Sequence, residues 1–151
     1  MNTLTKVIIP AYNEEKSIAK VIQDLPSTVD EIIVVNNNSS DETAAEAKKA
    51  GATVLTEKRI GYGYACLNGI SYIKSQTIKP DIIVFLDGDY SDYPKELNKL
   101  IAPIIDEHFD FVVGARSKKL REKGSMTLPQ VFGNWLATSL MAFFFNSKFT
   151  D

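Results

Sequence analysis

Cysteine and histidine are nearly absent from this chain: Cys66 and His108 are the single examples of each in 151 residues. One thiol excludes an internal disulfide and fits a reducing compartment. One imidazole excludes histidine-rich zinc sites, and any histidine triad would have to use His108. Charge of one sign is lacking too. The 17 basic and 19 acidic residues leave a formal net charge of −2, so no basic field points to nucleic acid. No G-x-x-x-x-G-K-[ST] occurs, which removes the usual ATP or GTP cradle. Gly61-Tyr62-Gly63 opens a helical pattern, but Cys66 stands where a dinucleotide fingerprint needs its third glycine. There is no internal repeat, no low-complexity linker and no signal-peptide pattern. The expectation is a single cytoplasmic domain, large enough for a real core.

What is present is a regular alternation. Residues 6–10 (KVIIP), 31–35 (EIIVV), 53–56 (TVLT), 82–86 (IIVFL) and 109–113 (FDFVV) read as five strands, with 31–35 and 82–86 buried. Asn13 is placed to cap a helix with Glu14 and Glu15 in its first turn, and Ile18, Val21, Ile22 and Leu25 repeat at helical spacing before Pro26. An alanine-rich helix covers 42–50 and closes at Gly51. Tyr62, Ala65, Cys66, Gly69, Ile70 and Ile73 line one face of a third helix. Pro94 opens a fourth, with Leu97, Leu100, Ile101 and Ile104 facing inward and a bend at Pro103. These spacings force parallel strands and right-handed crossovers. The expected fold class is α/β: a Rossmann-like, mostly parallel central sheet with helices on both faces. Ligands of such sheets lie outside the carboxyl ends of the strands. The polar clusters 12–14, 36–39, 57–59 and 87–89, with Arg116, all fall there.

The stretch 82–94, IIVFLDGDYSDYP, organises the rest. Its unbroken apolar run suits a strand covered on both faces. Asp87 and Asp89 follow where the strand leaves the sheet, with Gly88 letting the backbone turn tightly. Two carboxylates this close repel each other. A hard divalent cation, Mg2+ or Mn2+, held by one or two carboxylates plus substrate phosphates resolves that repulsion. A solvated, Asp-rich turn is the alternative.

Taken together, Pro10-Ala11-Tyr12-Asn13-Glu14, the run from Val34 through Asn36-Asn37-Asn38-Ser39-Ser40-Asp41 to Thr43, and Asp87-Gly88-Asp89 carry a resemblance. The chain resembles the nucleotide-binding half of a family-two glycosyltransferase of GT-A fold. Gly61-Tyr62-Gly63-Tyr64-Ala65, Gly114-Ala115-Arg116 and the stretch 121–127, followed by Gln130 and Gly133-Asn134, are similar to the dolichol-phosphate mannose or glucose synthase branch. The resemblance implies that Pro10, Tyr12, Glu14, Val35 and Asn37 form the nucleoside pocket, Tyr12 lying against base or ribose and Glu14 accepting from hydroxyls. Asn37 stands where relatives usually carry an aspartate that contacts the base. Asp87 would face ribose or sugar across Gly88, and Asp89 would hold the metal that bridges the diphosphate. Ser91 is the second expected metal contact, at a place where relatives often show Gln. Arg59 and Arg116 would offset diphosphate charge, with a surface salt bridge as the alternative for Arg59. Asp41 and Thr43 either cap the second helix or belong to the site.

The implied chemistry is displacement of UDP or GDP from an activated sugar, with inversion, onto a polyprenyl (dolichol-type) phosphate. The metal would stabilise the leaving diphosphate. A hydroxyl acceptor needs a general base, whereas a lipid phosphate is already anionic at neutral pH. Asp151 is the remaining candidate base, alongside Asp87 and Asp89 as catalytic residues. From Gly124 to Ser147 no charged residue occurs. Residues 127–147 are expected to form an apolar, amphipathic helix, short of the ~20 apolar residues of a span. It would rest on the cytoplasmic membrane face near a lipid-linked acceptor, or pack against residues beyond Asp151, or make a homodimer. The resemblance also implies that relatives continue past Asp151, making these residues a donor-binding half. Transfer to a polysaccharide or soluble hydroxyl, and a nucleotide-binding module without turnover, are the other readings. A sugar-phosphate nucleotidyltransferase lacks support, because its glycine-rich loop after the first strand is replaced by Ala11-Tyr12-Asn13-Glu14.

Overall fold

The computed structural model describes residues 3–114 and 128–145. Strand β1 (Thr5–Ala11) forms the middle of the sheet and is buried along its whole length. Strand β2 (Glu31–Asn36) runs parallel along one edge of β1, from Lys6 opposite Glu31 to Ala11 opposite Asn36. Strand β3 (Thr53–Thr56) continues the sheet beyond β2, with Ile33 opposite Thr53. Strand β4 (Ile82–Phe85) pairs with the other edge of β1, from Thr5 opposite Ile82 to Ile8 opposite Phe85. The order is β3-β2-β1-β4, and every pairing is parallel. The chain therefore winds one way from β1 to β3, then returns across the sheet to β4. That reversal puts a topological switch point between the carboxyl ends of β1 and β4.

Alternation along the strands distributes side chains to two cores. Val7, Ile9, Ala11, Val34 and Ile82 meet three helices on one face: α1 (Ile18–Gln23), α2 (Thr43–Lys49) and α4 (Leu97–Glu107). Ile8, Ile33 and Val35 meet Ala65 and Ile73 of α3 (Tyr62–Ser75) on the other. Each valine or isoleucine among them contributes about 1.5–3 kcal/mol when fully buried. Gly69 sets the approach of α3 to β1: a Cβ there would lie 2.7 Å from Ile8 Cγ2. The helix α5 (Leu128–Phe145) presents exposed apolar side chains, among them Trp135, Leu140, Phe143 and Phe144. No helix among the described residues is long and apolar enough to cross a membrane.

Four expectations need correction. Residues 109–113 are not a strand: β4 remains the outermost strand on its side of the sheet, and Phe109, Phe111 and Val113 stand exposed rather than packed against it. The run 82–86 is not covered on both faces either. Helix α3 packs on β1 and β2, which leaves Ile83 and Phe85 of β4 40% and 45% exposed. Asn13 does not cap α1: it takes a left-handed conformation (φ +57°), and the helix starts only at Ile18 after a turn. Leu100 is solvent-exposed on α4, whereas Leu97 and Ile101 are buried and Ile104 packs against that core.

The amino ends of the strands are tied by a polar network around Glu31. Its Oε2 accepts from Lys6 Nζ at 2.6 Å and from Gln76 Nε2 at 3.0 Å. Its Oε1 accepts from Tyr72 Oη at 2.9 Å and Thr53 Oγ1 at 3.1 Å. Burial pushes the carboxyl up, but these donors outweigh it and hold Glu31 down at about 2, against its ordinary 4.5. A folded-state value below the unfolded one gives stability that is present above pH 4.5 and is lost as pH falls toward 2. Glu31→Gln leaves Lys6, itself 8% exposed, without its counter-charge. It is expected to cost about 2–4 kcal/mol in urea unfolding at pH 7. The variant should also lose less of its remaining stability than the wild type between pH 5 and pH 3.

Candidate functional site

Two loops at the switch-point end are sewn together by their own hydrogen bonds. The Asn13 N–H donates to Ser39 Oγ (3.0 Å), the Glu14 N–H to Thr43 Oγ1 (2.7 Å) and the Glu15 N–H to Asp41 Oδ2 (3.1 Å). In return the Ser40 N–H donates to Asn13 Oδ1 (2.9 Å) and the Glu42 N–H to Glu15 Oε2 (3.2 Å). Thr43 is completely buried and donates its hydroxyl to Asp41 Oδ1. Burial pushes the Asp41 carboxyl up, yet bonds from Thr43 and Glu15 outweigh it and keep Asp41 below the usual carboxylate range. Asp41 and Thr43 thus bind one loop to the other. Asn13 and Asn38, both left-handed (φ +57° and +62°), supply the corners of this stitch.

Asn37 is 6% exposed, and its amide is fully employed. Its Nδ2 donates to the Glu57 and Arg59 carbonyls at 3.2 and 2.7 Å, and its Oδ1 accepts from the Gly61 N–H at 2.8 Å. One side chain at the end of β2 therefore fixes the loop between β3 and α3. Gly61, at φ +140°, makes the corner that only glycine takes readily. The Glu57 carboxylate accepts from Arg59 Nε (2.9 Å) and Nη2 (2.8 Å) and from the Arg59 backbone N–H (2.9 Å). Those bonds hold Glu57 at about 2. The Arg59 guanidinium also lies over the Tyr64 ring at 4.6 Å. Arg59 is thus a salt-bridged residue, with the outer part of its guanidinium still exposed.

A cavity of about 210 Å³ opens beside this loop, lined by Pro10, Ala11, Tyr12, Asn37, Ile60, Gly61, Tyr62 and Ala65. Tyr12 and Tyr62, each 58% exposed, flank it with aromatic faces. Val35 does not reach it, its side chain being wholly buried under α3. Tyr62 was expected on the buried face of its helix. Instead its hydroxyl donates to Asp87 Oδ1 at 3.3 Å. Burial first, and then the neighbouring Asp87 charge, push the Tyr62 hydroxyl up to about 12, so it stays a donor. Cys66 lies beneath, its thiol raised by burial. The sequence signal for Tyr62 was its place immediately after Gly61, at the first residue of α3, where a side chain faces the strand-end rim.

The turn after β4 brings Asp87 and Asp89 to the same rim. Gly88 does not need its glycine freedom: its φ is not positive, and a Cβ would make ordinary contacts with Glu14, Ile18 and Ala11. The left-handed residue is Tyr90 (φ +63°). Asp89 is exposed, and its Oδ1 accepts from the Ser91 N–H at 2.8 Å. Ser91 thereby contributes its backbone. Glu14, at the same rim, accepts from Ser17 Oγ at 2.7 Å. Among the described residues no group of three or more His, Cys, Asp or Glu is arranged as a metal cage. The donor set fits a hard cation that one or two carboxylates share with ligand oxygens, not one the protein encloses by itself. Arg116 and Asp151 lie outside the described residues.

This fold, with its pocket and acidic rim at the switch point, is that of a GT-A glycosyltransferase, and comparison with known proteins agrees. The chain belongs to glycosyl transferase family 2, whose pattern matches residues 6–150. It is 32% identical over 159 residues to the UDP-N-acetylglucosamine–dolichyl-phosphate N-acetylglucosaminyltransferase of Methanococcus voltae, a match covering 93% of this chain and 62% of that protein. It is 30% identical to the glycosyltransferase AglJ of Haloferax volcanii, covering 96% and 46% respectively. Its fold matches glucosyl-3-phosphoglycerate synthase from Mycobacterium tuberculosis, crystallised with Mn2+, UDP-glucose and phosphoglyceric acid. The TM-score is 0.60 at 29% identity, over 69% of this chain and 40% of that one. The same synthase has been crystallised with Mg2+ and UDP. The chain thus spans roughly half the length of the curated relatives it matches.

Asn37→Asp tests the loop anchor. A carboxylate cannot donate to the Glu57 and Arg59 carbonyls, so the substitution is expected to cost about 1–3 kcal/mol in urea unfolding. Unchanged stability would mean that the loop holds without that amide.

Proposed function

We propose that these residues form the donor half of a metal-assisted glycosyltransferase that takes a UDP-sugar and delivers the sugar to a polyprenyl phosphate. The observation that carries the reading is the continuity of the aromatic-flanked cavity with Asp87, through the Tyr62 hydroxyl. A uracil ring and ribose suit a cavity of this size between Tyr12 and Tyr62, since bases stack on aromatic faces with about 1–3 kcal/mol apiece. From there a diphosphate would run across the switch point toward Asp89. Uridine is favoured over guanosine because the dolichyl-phosphate transferase and the synthase both pair with UDP-sugars by name.

Charge supports a cation at Asp89. The rim carries Glu14, Asp87 and Asp89, and the nearby Arg59 already serves Glu57. A diphosphate meeting only these groups would face net repulsion. Mg2+ or Mn2+ held by Asp89, when bound, would supply the positive charge that steadies the leaving diphosphate. Glu14 and Asp87 would accept from ribose or sugar hydroxyls. Tyr62 would keep Asp87 oriented.

The lipid side of the reading draws on the exposed apolar side chains of α5 and on the dolichyl-phosphate relative. Exposed apolar side chains in this number suit contact with a membrane that presents the acceptor. An anionic phosphate acceptor also removes the need for a general base among the described residues. The second reading, a soluble acceptor, is favoured by the synthase structure with phosphoglyceric acid.

Calorimetric titration of the chain with UDP and with GDP, with and without Mn2+, tests the donor site. UDP is expected to bind at least about tenfold more tightly with Mn2+ present, a gain of about 1.4 kcal/mol. Asp89→Ala should abolish that gain, and GDP should bind more weakly than UDP. A folded chain that binds neither nucleotide overturns the reading.

A further inference from the structure

The Asp87–Asp89 turn is held in place by a contact that the donor-site chemistry does not use. Tyr90, left-handed at φ +63°, directs its hydroxyl to Asp24 Oδ2 at the end of α1. Asp24 Oδ1 pairs with Lys95 Nζ at 3.2 Å, at the start of the turn leading into α4. Lys20 Nζ lies 3.8 Å above the Tyr90 ring centroid. A tyrosine is an unfavourable residue for a left-handed backbone, where glycine or asparagine is ordinary. Its presence next to Asp89 is explained if the side chain does something a glycine cannot.

We propose that Tyr90 is a positioning residue for Asp89, acting through its hydrogen bond to Asp24. The geometry is direct. Asp89 and Tyr90 are adjacent, and the Asp89 carboxylate is oriented by the Ser91 N–H on the far side of Tyr90. Fixing the Tyr90 ring against α1 fixes both peptide groups that aim Asp89. The anchor is firm because Asp24 is shared. Its oxygens receive Tyr90 and Lys95, and the hydroxyl bond from Tyr90, followed by the Lys95 contact, keeps Asp24 below the usual carboxylate range. Asp24 thus joins three segments, α1, the 87–91 turn and the start of α4. Neither Tyr90 nor Asp24 lines the nucleoside cavity. The clamp therefore affects where the carboxylate points without touching the base.

This inference rests on the donor-site reading above, and its test separates the two. UDP affinity is measured by calorimetry with and without Mn2+ for the wild type, Tyr90→Phe, Asp24→Ala and the double variant, with folding checked by circular dichroism. Partners that orient a metal-holding carboxylate are worth about 10–100-fold in metal affinity. The expected result is a loss of about tenfold or more in Mn2+-dependent UDP affinity in each variant, with the metal-free UDP affinity unchanged. The double variant should lose no more than either single one, because the two residues act through one bond. A merely structural role would lower both affinities together. Wild-type Mn2+-dependent affinity in a folded Tyr90→Phe or Asp24→Ala chain overturns the clamp alone. A folded wild type that binds UDP but gains nothing from Mn2+ overturns the metal reading of Asp89, and the clamp's role with it.

Discussion

Strand β1 is paired along both edges and covered on both faces, and the site is a consequence of that double confinement. A strand so enclosed has to be apolar, or to satisfy any polar group it carries. Its side chains obey: Val7, Ile8, Ile9 and Ala11 fill the two cores, and Lys6 reaches Glu31 and Gln76. Because β2 takes one edge and β4 the other, the chain leaving β1 at Tyr12 emerges between the exits of its two neighbours. The gap between those exits is where Tyr12, Glu14, Asn37, Asp87 and Asp89 meet. Moving β4 to the outer edge of β3 would leave the same motifs in the sequence with no shared rim.

The residues around this gap do two different jobs that look alike in a sequence. Polar runs such as Asn36-Asn37-Asn38-Ser39-Ser40-Asp41 read as ligand-facing because they stand at strand ends. Much of that polarity is turned inward: Asn36 accepts from the Ser39 N–H, Asn37 anchors the 57–61 loop, and Asp41 with Thr43 accepts from the backbone of Glu15 and Glu14. Loops without regular structure still have backbone N–H groups to satisfy. Short amide, hydroxyl and carboxylate side chains are the means. The groups left facing outward are fewer and less expected: the aromatic faces of Tyr12 and Tyr62, and the acids of the 87–89 turn.

The strand–helix alternation, the parallel sheet and the clustering of polar loops at one end were all legible, since hydrophobic period and spacing decide them. What the sequence concealed were properties of neighbours. Whether 109–113 pairs depends on an edge, and whether 82–86 is covered depends on how far α3 reaches; neither is written in those residues. The tight turn after the strand was credited to the freedom of Gly88, yet the residue with positive φ there is Tyr90. Tyr62 was read inward from helical periodicity, which fails in the first turn of a helix whose start overhangs a cavity. The side chains hardest to read have partners remote in sequence: Tyr62 with Asp87, Tyr90 with Asp24, Asn37 with Arg59.

Those remote pairings share a design that bears on how the proposed donor site would work. Each of the three rim segments is fixed by a side chain that comes from, or reaches to, a different strand or helix. Asn37 at the end of β2 fixes the loop after β3, Tyr62 of α3 contacts the turn after β4, and Tyr90 of that turn contacts α1. The rim is thus braced across the sheet as well as along it. Carboxylates that repel one another on a flexible rim would splay apart in the free protein and would have to be gathered on binding, at a cost in ordering free energy. Bracing them from outside meets that cost during folding. On this view the rim acids are held ready for a cation and diphosphate by residues that touch neither.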